Sequence, residues 1–110
     1  VSEFPRELTE QEKNWLLAML NLDDEVVEII SYDNLLTEKR KQFIQQVPNL
    51  KVVNRCTCGD CYTVMFTEHE KGKPWLAMVN GWLKEPIDGN SYIAVHYEKE
   101  TLQLAELEIV

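Results

Sequence analysis

The sequence predicts an α+β fold in a single domain over residues 1–110, with N-terminal helices packed on one face of a four- to five-stranded antiparallel sheet. Three observations carry that expectation. A helix-starting box stands at Thr9 and Glu12, the apolar period changes from helical to alternating near Pro48, and the segments between later apolar runs are too short for parallel crossovers. At 110 residues and 45% hydrophobic content, the chain can bury one core, a thin one for its size.

The helical part is expected over about 9–47. Thr9 can accept from the backbone N–H of Glu12 while the Glu12 carboxylate reaches back to the cap, and Trp15, Leu16, Met19 and Leu20 then share one side at helical spacing. Asp23-Asp24-Glu25 places negative charge where a second, short helix would begin, with Val26, Val27, Ile29 and Ile30 as its apolar content. A third helix is marked by Leu36, Phe43, Ile44 and Val47, exposes Lys39, Arg40 and Lys41, and is stopped by Pro48.

The sheet part is expected over about 50–110. Leu50–Asn54, Tyr62–Thr67, Trp75–Leu83, Ser91–Tyr97 and Leu102–Ile109 read as strands rich in β-branched and aromatic residues. Turn signals separate them: Cys58-Gly59-Asp60, Glu70 to Pro74, Pro86 to Asn90, and Glu98 to Glu100.

Charge excludes one class of partner. With 19 Asp plus Glu against 11 Lys plus Arg, the net charge is −8, whereas nucleic acid binding requires clustered cations. A basic protein suits it better as a partner, although such acidity also serves solubility alone. No run reaches the roughly twenty apolar residues of a membrane helix, and Val-Ser-Glu-Phe-Pro has no basic-then-apolar leader pattern. Three cysteines cannot all pair within one chain, so a reducing cytoplasm is the expected setting.

Those cysteines stand in the stretch RCTCGDCY, residues 55–62. Cys56, Cys58 and Cys61 can supply three thiolates to zinc, with His69 or His96 as a fourth ligand, but the second separated ligand pair of strong zinc signatures is missing. Cys58-Gly59-Asp60-Cys61 has the spacing of a redox pair, yet strand-like residues follow it where thioredoxin-like motifs open a helix. The reading preferred is a strand–turn–strand corner in which Gly59 supplies a positive φ and the cysteines act as small packing residues.

No catalytic constellation emerges, so a non-enzyme is expected. His69 lies in a charged loop and His96 alternates on a strand, neither within a recognisable motif. Glu106 and Glu108 share a strand face that reads as the wet side of a sheet, and Gly72, Gly81 and Gly89 are isolated rather than gathered into a phosphate loop. What remains is surface. Trp75, Trp82, Tyr92 and Tyr97 supply large rings, and acidic residues recur at Asp23, Asp24, Glu25, Glu28 and Asp33 and again at Glu98, Glu100, Glu106 and Glu108.

The order Phe4-Pro5-Arg6-Glu7-Leu8-Thr9, then Glu12 and Trp15-Leu16-Leu17, a cysteine-glycine corner, and Leu102 to Glu108 resembles a group of small bacterial proteins. In size, acidity and architecture the chain is similar to immunity proteins of contact-dependent growth inhibition and related polymorphic toxin systems. The corner departs from their pattern, because Asp60 stands between Gly59 and Cys61. The resemblance implies a cytoplasmic antitoxin that needs no cofactor and no catalytic residue. Its partner would be a cognate toxin domain, often a nuclease with a basic cleft, bound without contact to nucleic acid or membrane. The candidate toxin-binding residues are Asp23, Asp24, Glu25, Glu28, Asp33, Trp82, Tyr97, Glu98, Glu106 and Glu108; the alternative is a small zinc-binding domain built on Cys56, Cys58 and Cys61.

Overall fold

The computed structural model describes residues 3–69 and 71–110. Its elements run β1 (Arg6–Glu7), α1 (Glu10–Leu20), β2 (Val27–Tyr32), α2 (Asn34–Gln46), a 3₁₀ turn (Val47–Asn49), β3 (Lys51–Val52), β4 (Asn54–Arg55), β5 (Val64–Met65), β6 (Trp75–Ile87), β7 (Asn90–Glu98) and β8 (Leu104–Ile109). The class is α+β. The main sheet has six strands in the order β2-β6-β7-β8-β5-β4, every pairing antiparallel, and β1 pairs β3 in a separate two-stranded sheet.

The capping box forms as expected. Thr9 Oγ1 accepts the Glu12 N–H at 3.1 Å and Glu12 Oε1 accepts the Thr9 N–H at 2.8 Å, which satisfies two donors that α1 cannot bond internally. Arg6 adds a two-pronged pair to the same carboxylate, 2.9 Å at each oxygen. Burial favours the neutral acid, but Arg6 and the Thr9 N–H outweigh it and hold the Glu12 carboxyl below its ordinary range.

The expected second helix is instead strand β2. Asp23 closes a turn, its Oδ1 accepting from the Glu25 N–H at 3.0 Å, and its carbonyl accepts from Val26 and Val27. The four β-branched residues that follow suit a pleated surface better than a helix, and β2 finds the open edge of β6, with Val27 opposite Leu83 and Glu28 opposite Trp82. The region 9–47 is therefore two helices with a strand between them. Asp33 then caps α2, accepting from the Leu35 N–H at 2.8 Å.

Two side chains lock α2 in place. Arg40, expected on an exposed face, donates from Nε to the Leu20 carbonyl at 2.9 Å, placing a cation at the negative end of α1. Gln46 acts like a strand residue: its Nε2 donates to the Leu102 carbonyl and its Oε1 accepts from the Leu104 N–H, both at 2.8 Å. Trp15, Leu16, Met19 and Leu20 of α1 join Leu36 and Phe43 of α2 in one core with Ile93, Val95, Tyr97, Leu107 and Ile109 of the sheet. Both helices therefore cover the same face.

The five expected strands shift in detail. Leu50–Asn54 divides into β3 and β4, which serve different sheets, and Tyr62–Thr67 shortens to β5. The Asp88-Gly89 turn closes the β6–β7 hairpin with φ of 48° and 83°, the mirror-image turn that matches strand twist, and Ile87 faces Asn90 across it. Among the described residues no helix is long and apolar enough to cross a membrane.

Candidate functional site

The sheet face away from the helices is built by strand alternation. Ile93, Val95 and Tyr97 point into the core, so Tyr92, Ala94, His96 and Glu98 point the other way. Register carries that face across the sheet: Glu28, Trp82 and Tyr92 form one row, Ser31, Asn80, Ala94 and Glu108 a second, and Ala77, His96, Glu106 and Met65 a third. Trp82 is 45% exposed and meets Tyr92 edge-on, ring centroids 5.4 Å apart at 70°. A polar relay fixes Tyr92: Ser31 Oγ donates to Asn80 Oδ1 at 2.6 Å, and Asn80 Nδ2 donates to the Tyr92 hydroxyl at 3.1 Å.

Within the third row, His96 Nδ1 lies 3.1 Å from Glu106 Oε1. The carboxylate sits off the ring N–H direction, so the contact is one of charge rather than a well-aligned hydrogen bond. The Glu106 carboxylate nonetheless raises the imidazole pKa, burial opposes it, and Glu108 adds to the rise.

The expected docking residues divide into three groups. Glu28, Trp82, Glu106 and Glu108 share this face, Glu28 and Trp82 exposed, Glu108 half-buried and Glu106 only 15% exposed beside His96. Asp24 and Glu25 are exposed on the turn leading into β2, while Asp23 and Asp33 hold backbone N–H groups as local caps. Tyr97 and Glu98 are corrections. Tyr97 is 4% exposed because its strand parity turns it onto Phe43, ring centroids 6.0 Å apart, and Glu98 is 9% exposed at the end of β7 opposite Trp75. Neither offers a docking surface.

The cysteine stretch forms the loop of the β4–β5 hairpin, so the expected corner is present. Asn54 pairs Met65, Arg55 pairs Val64, and the Cys56 N–H donates to the Thr63 carbonyl at 3.0 Å. Further bonds fasten the loop to its neighbours: the Tyr62 N–H to the Ile109 carbonyl at 3.0 Å, Asn90 Nδ2 to the Asp60 carbonyl at 2.8 Å, and the Tyr62 hydroxyl to Asp88. Gly59 adopts φ +85° with open space around it, so backbone conformation is what requires glycine there.

The three thiols also converge. All are free, Cys58 Sγ lies 3.1 Å from Cys61 Sγ, and the three sulfurs lie within 4.8 Å of one another. Hydrogen bonding from the Cys61 thiol, then from the Asp60 N–H, lowers the Cys58 pKa to about 7. For Cys56 the Cys58 N–H favours the thiolate, but the Cys61 and Cys58 thiols and mutual repulsion outweigh it and push the pKa up to about 11. Neither histidine belongs to the cluster: His69 stacks on Trp75, centroids 4.3 Å apart, and His96 sits beside Glu106.

The loop borders a cleft of about 550 Å³ on the β1 and α1 side, lined by Arg6, Glu12, Arg55 and Asp88 as well as Cys56 and Cys61. Arg55 adjoins Cys56 in the chain, whereas Arg6, fifty residues away, was not visible from the sequence as a neighbour of the loop. Comparison of the chain with protein-family models, curated proteins and solved structures finds no match.

Proposed function

We propose that the protein acts by binding: its open sheet face engages a cationic protein surface, in the manner of a cytoplasmic immunity protein that occludes the basic cleft of a toxin nuclease. The observation behind this reading is that Glu28, Trp82, Tyr92, Glu106 and Glu108 share the sheet face away from the helices, Glu28 and Trp82 exposed and the others half-buried, in a chain of net charge −8. A ring pair held by a polar relay is a preordered anchor, and acids around it accelerate encounter with a cationic partner. Such a role requires no cofactor and no reaction.

Size decides how much surface the partner uses. The four longer strands, at ~4.8 Å spacing and ~3.3 Å per residue, present about 400–600 Å². A standard interface takes roughly 800 Å² per partner. The footprint therefore extends past the sheet onto the β2 entry turn, where Asp24 and Glu25 are exposed.

The test is affinity purification from the native cell with wild type and a face-inverted variant, Glu28→Lys/Trp82→Ala/Glu108→Lys. The retained protein is identified, purified and titrated. A basic partner whose nuclease activity is blocked by wild type, and which binds the variant at least ~100-fold more weakly, supports the proposal. Equal binding of the variant, or binding unaffected by salt, overturns it.

A further inference from the structure

We infer that Cys56, Cys58 and Cys61 form a three-thiolate site for one zinc ion, with its fourth coordination position facing the adjoining cleft and filled by an exchangeable ligand. The inference is independent of the partner-binding reading and uses none of its residues.

Geometry is the first argument. Zinc–sulfur bonds of about 2.3 Å in a tetrahedron set neighbouring sulfurs about 3.8 Å apart. The observed separations, 3.1 Å for Cys58–Cys61 and no more than 4.8 Å for any pair, bracket that value. Rotation about the cysteine side-chain bonds covers the difference without moving the backbone. A two-residue and a three-residue step around a left-handed glycine bring the sulfurs together, and the hairpin pairing with the Tyr62, Asn90 and Thr63 bonds fastens the loop at both ends. The ligands are thus largely in place before the ion arrives.

Electrostatics gives the second argument. Three sulfurs within 4.8 Å of one another would repel as thiolates, so without a cation the cluster resists losing all three protons. A divalent cation removes that resistance, so binding expels protons and the thiolates become ligands. Three thiolates around Zn²⁺ leave one net negative charge, beside a cleft where Arg6 is paired with Glu12, Arg55 lies 3.7 Å from Glu3, and Asp60 and Asp88 also stand.

Ligand chemistry selects the ion. Sulfur-only donors favour zinc over magnesium or calcium, which take oxygen. No histidine completes the set, and Cys58 is solvent-exposed. Closed structural sites supply four protein ligands, whereas sites with three keep a position for water or another small ligand. This set belongs to the second kind.

The experiment titrates the full chain, reduced and free of oxygen, with Zn²⁺ against a chromophoric chelator, and in parallel with Co²⁺ as a spectroscopic probe. The expected results are one metal per chain, proton release on binding, and a thiolate-to-cobalt charge-transfer band that loses about one third of its intensity in Cys56→Ser. Each of Cys56→Ser, Cys58→Ser and Cys61→Ser should weaken zinc binding by at least ~100-fold, with unchanged circular dichroism showing that the fold persists. Wild-type affinity in Cys56→Ser would reduce the site to a simple dithiol and overturn the inference. So would less than half a metal per chain at saturating zinc.

Discussion

Replacing Gly81 by alanine sets two effects of opposite sign against each other. Glycine in the middle of a strand is worse than alanine by about 0.5–1 kcal/mol, so propensity alone predicts a more stable protein. Space predicts the reverse. A methyl group on Gly81 would sit 2.4 Å from the Glu28 carbonyl oxygen and 2.7 Å from Val27 Cγ1. The oxygen is backbone of β2, an edge strand paired in the main sheet with β6 alone, so relief means pushing β2 outward by about 1 Å and stretching its ladder. Overpacking of this kind costs about 1–3 kcal/mol, which exceeds the propensity gain for most of that range. With a net cost of about 1.25 kcal/mol at the middle of both ranges, Gly81→Ala should lower Tm by roughly 5–10 °C, at ~4–8 °C per kcal/mol for a domain near this size. Hydrogen exchange should quicken at the β2 amides before those of β7. A Tm equal to or above wild type would show that the close approach of β2 to β6 is wrong, and with it the row joining Glu28 to Trp82.

Three further outcomes follow from the ionisable groups. The Glu12 carboxyl is held low, so its stabilising contribution is present above its unfolded pKa and is lost as pH falls through the folded value. Glu12→Gln should cost about 1–2 kcal/mol at neutral pH, a gap that narrows in urea titrations as pH falls through the folded value of Glu12. His96 has the opposite sign: its raised pKa gives stability fully present below about pH 6.5 and lost as pH rises through the folded value, so His96→Gln should abolish that part of the pH slope. An NMR titration placing the His96 midpoint at or below ~6.5 would refute the assignment. In the metal-free protein at neutral pH, iodoacetamide should modify Cys58, with its pKa of about 7, well before Cys56 at about 11; equal labelling by mass spectrometry would contradict the ordering.

Local rules were legible in the sequence wherever one short stretch contains the whole reason. The Thr9–Glu12 box, the stop at Pro48 and the Asp88-Gly89 hairpin are of that kind. Val26–Ile30 was not, because flanking acids mark a helix start while β-branched residues favour a strand, and only the vacant edge of β6, some fifty residues on, settles the matter. The six-stranded order is likewise invisible locally, since β4 and β5 are two residues each and exist only by pairing. Alternation placed Glu106 and Glu108 opposite the core-facing Leu107 and Ile109, although both are only half-exposed there, and could not fix the parity of β7, which sends Tyr97 inward. The cysteine spacing was visible from the start; the convergence of three sulfurs and the absence of either histidine from their cluster depend on the loop's path.

The sheet order also sets how far the two proposed sites can influence each other. β2, with Glu28, is one edge, and β4, which leads into the cysteine loop, is the other. Five strand spacings of ~4.8 Å put about 24 Å between them. At physiological salt the screening length is about 8 Å, so the charge of a bound zinc ion is largely screened at Glu28. Sites this far apart, with no shared contact, add within about 0.5 kcal/mol, roughly twofold in affinity. Glu28→Lys should therefore leave zinc affinity within about twofold of wild type, whereas Glu108, on β8 beside β5 and the loop, is near enough to couple. A tenfold effect of Glu28→Lys on zinc affinity would mean that the β2 edge and the thiol loop are coupled through the sheet rather than independent.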